Sequence, residues 1–185
     1  MKALFILFAA ALSSCAIEEP VSETISKEDG FEVRKYAAIP VVCAPMEDMD
    51  KRNQSFRELF RYISGKNEGK QKIAMTSPVF MENGDNAGEA GRMSFMIPAK
   101  VSEKGAPAPD AEDVAVSDIK GGTFAVLRFK GWDEEEKRDK ATQDLAKLVS
   151  EKQLKSVGKP FFAFYDPPWK PEFLRRNEIW QRIKP

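Results

Sequence analysis

Apolar and polar side chains alternate in several short stretches after residue 30, and this pattern predicts half-buried β-strands. Phe31–Tyr36 shows the alternation directly, whereas Ile39–Ala44 is a β-prone run in which Pro40 suggests an edge position. Six further stretches have the composition of strands: Lys72–Met81, Arg92–Ile97, Val114–Ile119, Thr123–Phe129, Phe161–Tyr165 and Glu178–Ile183. Glycines between the Val114 and Thr123 stretches, Gly121–Gly122, predict a hairpin that joins these two strands.

Two segments have the period of a helix instead. Between Asp50 and Ser64, apolar residues recur at i, i+3, i+4 and i+7 and so share one helical face, and Gly65 is a natural end for this helix. The residues on that face are Phe56, Leu59, Phe60 and Ile63. A second helix is predicted from Asp133 onward, with a narrower apolar stripe formed by Ala141, Leu145, Leu148 and Val149.

The order of elements is strand-strand-helix-strand-strand, repeated after about 80 residues, which is too long a period for a solenoid. A stretch rich in Pro, Ala and charge, Pro98–Asp113, joins the two halves. Each half can bury the apolar face of its helix on an antiparallel sheet. The pattern therefore predicts one α+β domain built by pseudo-twofold duplication.

The N-terminus has the pattern of a targeting segment. Lys2 precedes a ten-residue apolar run, Ala3–Leu12, and the sequence Leu12-Ser13-Ser14-Cys15 resembles a lipobox, although an ordinary signal peptide with an incidental cysteine would look similar. We predict a lipoprotein signal peptide at 1–14, lipidation at Cys15, a polar tether at 15–27 and a folded domain at 28–185. In a Gram-negative cell, Ala16 favours an outer-membrane lipoprotein that faces the periplasm.

Composition narrows the possible chemistry. The chain has 29 basic and 29 acidic residues, so no basic excess points to a nucleic acid or an anionic membrane surface as a partner. It contains no histidine, which excludes Ser-His-Asp and Cys-His catalysis, histidine zinc sites and an axial imidazole. After cleavage only Cys43 would remain as a free thiol, so no intrachain disulfide can form.

Three stretches resemble the SOUL heme-binding family. They are Phe31-Glu32-Val33-Arg34-Lys35-Tyr36; Phe60-Arg61-Tyr62-Ile63-Ser64-Gly65 with Ile73-Ala74-Met75-Thr76-Ser77-Pro78-Val79; and Phe164-Tyr165-Asp166-Pro167-Pro168-Trp169-Lys170-Pro171 with Arg175-Arg176-Asn177-Glu178-Ile179-Trp180. Together they span most of the chain in the expected order. The resemblance implies a distorted antiparallel β-barrel with two helices, and reversible binding of heme or another tetrapyrrole in a hydrophobic groove beside the first helix.

A porphyrin needs an apolar wall and cations at its rim. On the resemblance, the wall would consist of Phe56, Leu59, Phe60 and Ile63 on the helix with Met75 and Phe95 on nearby strands. The competing interpretation is that the helical residues are ordinary core contacts. Arg61 and Lys170 match basic positions that the family suggests for the propionates, but either could be a solvated charge or an ion-pair partner, for example of Glu58.

No axial ligand for iron can be named. The available soft or anionic groups are methionines, tyrosines and Cys43, and methionines are more often core filler. We find no nucleophile-base pair, phosphate-binding glycine loop or metal-ligand cluster, so we expect a binding module and not an enzyme. The alternative ligand class is another planar or amphipathic small molecule, because related effector-binding domains of bacterial regulators hold large apolar ligands.

Overall fold

The computed structural model describes residues 17–46, 52–84 and 91–184. Over these residues the chain forms one antiparallel sheet of nine strands with helices on it, as the prediction of an α+β fold required. The strands are β1 Ser22–Glu28, β2 Phe31–Tyr36, β3 Ile39–Met46, β4 Val79–Glu82, β5 Gly91–Met96, β6 Ala115–Ile119, β7 Gly122–Phe129, β8 Phe161–Phe164 and β9 Asn177–Ile183. The helices are α1 Arg52–Ile63, α2 Ala99–Ser102 and α3 Glu135–Glu151, with a 3₁₀ turn at Glu172–Leu174.

The strand order confirms the predicted duplication. The sheet runs β1-β2-β7-β9-β8-β4-β5-β3-β6. Each strand from β2 to β5 can be matched with the strand four places later in the chain, so that β2 corresponds to β6 and β5 to β9. With this matching, the sheet read from β6 back to β2 has the same strand order as the sheet read from β2 to β6. The strand β1 is an addition outside this symmetry. The edge strands β1 and β6 do not pair with each other, so the barrel is distorted and open.

Side-chain alternation divides the interior into three clusters. One face of the curved sheet surrounds a central cluster rich in aromatic residues, including Trp180, Phe80, Phe124 and Phe161. The opposite face carries α1 against β3 and β5 in one half, and α3 against β7 and β9 in the other. Successive residues of β9 show the division, because Trp180 lies in the central cluster and Ile179 faces α3.

Two predictions about the strands need correction. The predicted tether is wrong for residues 22–27, because Ser22–Glu28 forms β1 on the edge of the sheet and pairs with β2. Most of its side chains are solvent-exposed, so it lacks the apolar alternation that marks a half-buried strand. The strand predicted at 72–81 begins only at Val79, which follows Pro78, a residue without a backbone donor.

The predicted hairpin across Gly121–Gly122 is also wrong. The strand β6 pairs with β3, and β7 pairs with β2 and β9. The glycines instead allow the chain to pass close to the connection between β2 and β3. A Cβ atom at Gly121 would lie 2.8 Å from the backbone nitrogen of Ala38, so a larger residue does not fit there.

A buried carboxylate joins the two halves of the domain. Glu178 of β9 is fully buried, and its oxygens accept hydrogen bonds from Arg34 of β2 at 3.0 and 3.2 Å. They also accept from the Tyr165 hydroxyl and the Trp180 indole nitrogen, both at 2.9 Å, and from Arg176 Nε at 3.1 Å. Burial by itself would raise the pKa of Glu178, but the hydrogen bonds and charges of Arg34 and Arg176 lower it overall, so the carboxylate stays ionised.

We predict that Glu178→Gln destabilises the protein strongly, because it removes one of the two carboxylates that pair with the buried Arg34 guanidinium, the other being Glu32. Removing one partner of a buried ion pair typically costs about 3–5 kcal/mol. Urea denaturation followed by Trp fluorescence measures the free energy of unfolding. Glu23→Gln, on the exposed side of β1, is the matched control and should change it by less than about 0.5 kcal/mol. A Glu178→Gln protein within that range would contradict the structural role.

The pH dependence of stability should show the contribution of Tyr165. Burial, followed by the charge of Glu178, raises the pKa of the Tyr165 phenol above its ordinary value of 10.0. The stabilisation is therefore complete below pH 10 and is lost as the pH rises further, since only the unfolded phenol then ionises. We expect the difference in unfolding free energy between wild type and Tyr165→Phe to fall by about 1.4 kcal/mol at about pH 11. A difference that stays constant with pH would contradict this assignment.

Candidate functional site

The helix α1 has a buried face and an apolar exposed face. Leu59 and Ile63 are buried with Tyr62 in the cluster between α1 and the sheet, so these predicted wall residues belong to the core and are not accessible. Phe56 and Phe60 lie beside that stripe and are 38% and 46% exposed. Large apolar side chains that remain accessible in this way are common in binding surfaces.

The exposed phenylalanines form an ordered surface. The rings of Phe56 and Phe60 have centroids 6.3 Å apart and are nearly parallel, at 10°. The edge of Phe56 also contacts Phe95, with centroids 5.1 Å apart and planes at 66°. Phe95 is buried because β5 presents this side to α1. The structure thus brings three of the predicted wall residues together, because Phe56 contacts both Phe60 on the helix and the buried Phe95 on the sheet.

The predicted wall residue Met75 is exposed on the segment that leads from α1 to β4. This segment is fixed at both ends. The Ile73 amide donates to the Ile63 carbonyl at 2.8 Å, next to the end of α1. The Ser77 hydroxyl donates to the Tyr165 carbonyl at 3.1 Å, at the start of the loop between β8 and β9. Met75 therefore lies between the helix end and that loop, with its thioether open to solvent.

Both predicted rim cations already have carboxylate partners. Arg61 Nη1 lies 2.8 Å from Glu58 Oε1, the ion pair that the competing interpretation proposed. Lys170 Nζ lies 2.6 Å from Asp166 Oδ1. Pairs at this level of exposure contribute only about 0–1 kcal/mol, so either cation can exchange its partner for a ligand carboxylate at small cost.

The loop between β8 and β9, residues 165–176, has its own scaffold. Arg175 donates to the carbonyls of Pro167, Pro168 and Lys170, and its guanidinium lies 3.9 Å from the ring centroid of Trp132. Because these bonds cross the loop, the backbone that carries Lys170 is held in place without a regular strand or long helix.

The remaining soft ligands are unsuited to iron in their present state. Burial raises the pKa of the Cys43 thiol, and its Sγ donates to the Ala115 carbonyl at 3.4 Å, so it is not a ready thiolate. Met46 and Met93 are buried in the core, and Met49 lies outside the described residues. No group of His, Cys, Asp and Glu within residues 17–46, 52–84 and 91–184 is arranged to hold a metal ion.

Other concave surfaces flank the helices. A cavity of about 500 Å³ lies beside α3, above Leu127 and Phe129 of β7. Two of its lysines pair with carboxylates of the same rim, Lys140 with Asp144 at 2.9 Å and Lys147 with Glu151 at 3.8 Å. A cleft of about 350 Å³ lies on the other flank of α1, beside Arg61 and Tyr62. Neither surface presents an exposed aromatic pair, so the Phe56–Phe60 face remains the better candidate for a flat apolar ligand.

The buried Glu178 cluster is not predicted by the sequence. The only signal for it was the Arg-Arg-Asn-Glu stretch beside an aromatic strand, and nothing in that stretch identifies Arg34 as the distant partner. The predicted lipidation site Cys15 and signal peptide lie outside the described residues. No helix in the described part of the chain is long and apolar enough to cross a membrane.

Two solved structures show where else this fold occurs. The C-terminal domain of EcmrR is 12% identical and superposes with a TM-score of 0.61, covering 83% of this chain and 96% of that domain. A hydrolase from Listeria innocua is 10% identical and superposes with a TM-score of 0.58, covering 86% of this chain and 94% of the hydrolase. At such low identity the likeness shows a shared fold alone.

Sequence comparison gives a closer relationship. The family model described as SOUL heme-binding protein matches residues 17–182. The chain is 31% identical to Heme-binding protein 2 of Mus musculus over 178 residues, covering 89% of this chain and 85% of the mouse protein. It is 30% identical to Heme-binding protein 2 of Homo sapiens over 158 residues, covering 81% of this chain and 76% of the human protein. These matches show that the chain belongs to the SOUL heme-binding protein family.

Proposed function

We propose that this protein is a binding module that holds heme or a related tetrapyrrole against the exposed face of α1. The observation that carries the proposal is the exposure of Phe56 and Phe60 as a parallel pair on a helix whose other apolar residues are buried. Membership of a family described as heme-binding, and similarity to proteins named Heme-binding protein 2, support the ligand class.

The duplication offers an internal comparison that also supports this face. If the buried Leu59 and Ile63 of α1 are matched with the buried Leu145 and Val149 of α3, then Phe56 and Phe60 correspond to Thr142 and Ala146. The two helices thus have equivalent core positions but differ on the flank. Core packing does not require aromatic rings at that flank, since the second half of the domain does without them.

The chemistry of the face fits a flat apolar macrocycle with carboxylate side chains. Phe56 and Phe60 offer ring faces for stacking, with Phe95 below. Lys170 would supply a cation for a carboxylate after release from Asp166, whereas Arg61 borders the cleft on the other flank of α1.

Because the chain has no histidine, retention of the ring cannot depend on an imidazole of this protein. Bound heme would supply an iron centre with open coordination positions, and Met75, on the segment after α1, has an exposed side chain that could serve as a soft ligand. We therefore propose a carrier or buffer of tetrapyrroles held mainly by apolar contact, and not an enzyme.

Heme titration of the purified protein tests this proposal. We expect stoichiometric binding with a shift of the Soret band. Phe60→Ala and Phe56→Ala should each weaken binding about ten- to hundredfold, since burying a phenylalanine ring is worth about 1.5–3 kcal/mol. Val157→Ala, a similarly exposed apolar residue beyond α3, is the control and should bind normally. Non-saturating partition of heme that is equal in all variants would overturn the proposal and leave other planar or amphipathic ligands as the alternative.

The same variants separate binding from folding. Phe60→Ala removes an exposed ring and should change the free energy of unfolding by less than about 1 kcal/mol. Leu59→Ala, one position earlier and fully buried, should lower it by about 2–5 kcal/mol. Loss of heme binding in a Phe60→Ala protein of normal stability would therefore report on the site itself.

We further propose that the protein is a lipoprotein of the cell envelope, anchored through Cys15 to the outer membrane on its periplasmic side. The support is the lipobox-like sequence after a short apolar segment. Mass spectrometry of protein from an envelope fraction should find a diacylglyceryl group and an N-acyl chain on Cys15 as the first residue. Cys15→Ser should abolish this modification, whereas Cys43→Ser should leave it unchanged. An unmodified Cys15 in the wild-type protein would contradict anchoring.

A further inference from the structure

The first described residues are docked on the domain close to the 165–176 loop. The Glu19 carboxylate pairs with Arg176 at 2.9 Å, at the end of that loop. The Glu18 carbonyl accepts from the Ser77 amide at 2.9 Å, and its carboxylate accepts from the Ala99 amide at 2.8 Å. The chain near Glu19 is thus fixed to the folded domain and does not act as a free tether.

This docking limits the distance between the domain and an anchor at Cys15. Glu19 is four positions after Cys15, and four extended residue steps span at most about 14 Å. If Cys15 carries lipid chains, the backbone of Glu19 must lie within roughly that distance of the lipidated residue, and Arg176 follows at the length of one salt bridge. The loop that ends at Arg176 therefore belongs to the side of the domain nearest to the bilayer.

The same loop exposes large apolar side chains. Trp169 is 82% exposed, Phe173 is 69% exposed and Leu174 is 54% exposed. They follow one another within six residues, on a backbone that the Arg175 hydrogen bonds hold in place. Neither Trp169 nor Phe173 belongs to a core cluster of the described residues. Packing of the fold therefore does not explain why the loop carries these large apolar side chains.

We propose that the 165–176 loop inserts Trp169 and Phe173 into the interfacial region of the lipid bilayer. Aromatic side chains favour the level of the lipid headgroups, where an apolar ring and a polar edge are both accommodated. The inference rests on the proposed lipidation of Cys15, because the short distance from Cys15 to Glu19 brings this loop to the membrane. The acyl chains hold the protein to the bilayer and the loop sets its orientation.

Fluorescence quenching in vesicles tests the loop. The mature protein, purified from envelopes and checked for acylation by mass, is placed in phosphatidylcholine–phosphatidylglycerol vesicles that contain lipids brominated near the headgroup end of the chain. We expect quenching of tryptophan emission that falls at least about twofold in Trp169→Phe. Trp132→Phe, which removes a different partly exposed tryptophan, should keep the quenching. Phe173→Ser should reduce the quenching of Trp169, because it weakens insertion of the same loop.

The outcomes separate the loop from the anchor. Acylated protein whose quenching is the same in wild type and Trp169→Phe would overturn insertion of the loop and leave anchoring intact. Protein without acyl chains would overturn both proposals. Because all of the substituted residues are exposed, circular dichroism should show unchanged folding in each variant.

Discussion

The structure depends on a buried ion pair between the two halves of the chain. Arg34 lies near the start of the domain and Glu178 near its end, and the two meet inside the curved sheet. A carboxylate in this position is stable because its two oxygens accept five hydrogen bonds, three of them from guanidinium groups. Tyr165 and Arg176 are among these donors, and they are also the two ends of the 165–176 loop. One electrostatic cluster therefore links β2 to β9 across β7 and fixes the base of the 165–176 loop.

Around this cluster the duplicated halves have the same architecture but different surfaces. The central aromatic core and the two outer helices obey the pseudo-twofold relation, and the buried positions of α1 and α3 correspond. The flank of α1 carries Phe56 and Phe60, whereas the matching flank of α3 carries Thr142 and Ala146. The buried residues of each helix fill the core of its half without help from the flank. Phe56 and Phe60 are therefore not needed for core packing and are available to contact a ligand.

The proposed ligand face and the proposed membrane contact are joined by one short segment. Glu18 forms a bridge with Thr76, the residue that follows Met75, and Ser77 bonds to the start of the loop at Tyr165. An anchor at Cys15 would therefore bring the segment that carries Met75 toward the bilayer as well.

The alternation of side chains and the helical period by themselves determined the α+β class, the duplicated order of elements and the positions of most strands, because burial on one face imposes a period of two or 3.6 residues. Pairing was different: Gly121–Gly122 has the local signal of a hairpin, but Gly121 allows a close crossing of backbones. The polar strand β1 gave no apolar signal because an edge strand needs only backbone hydrogen bonds.

On α1, the spacing placed Phe56, Leu59, Phe60 and Ile63 on one face, and only packing against β3 and β5 decided which were core and which were accessible. The partner of Glu178 likewise depended on tertiary structure, since a contact between residues 144 positions apart leaves no periodic pattern in the chain.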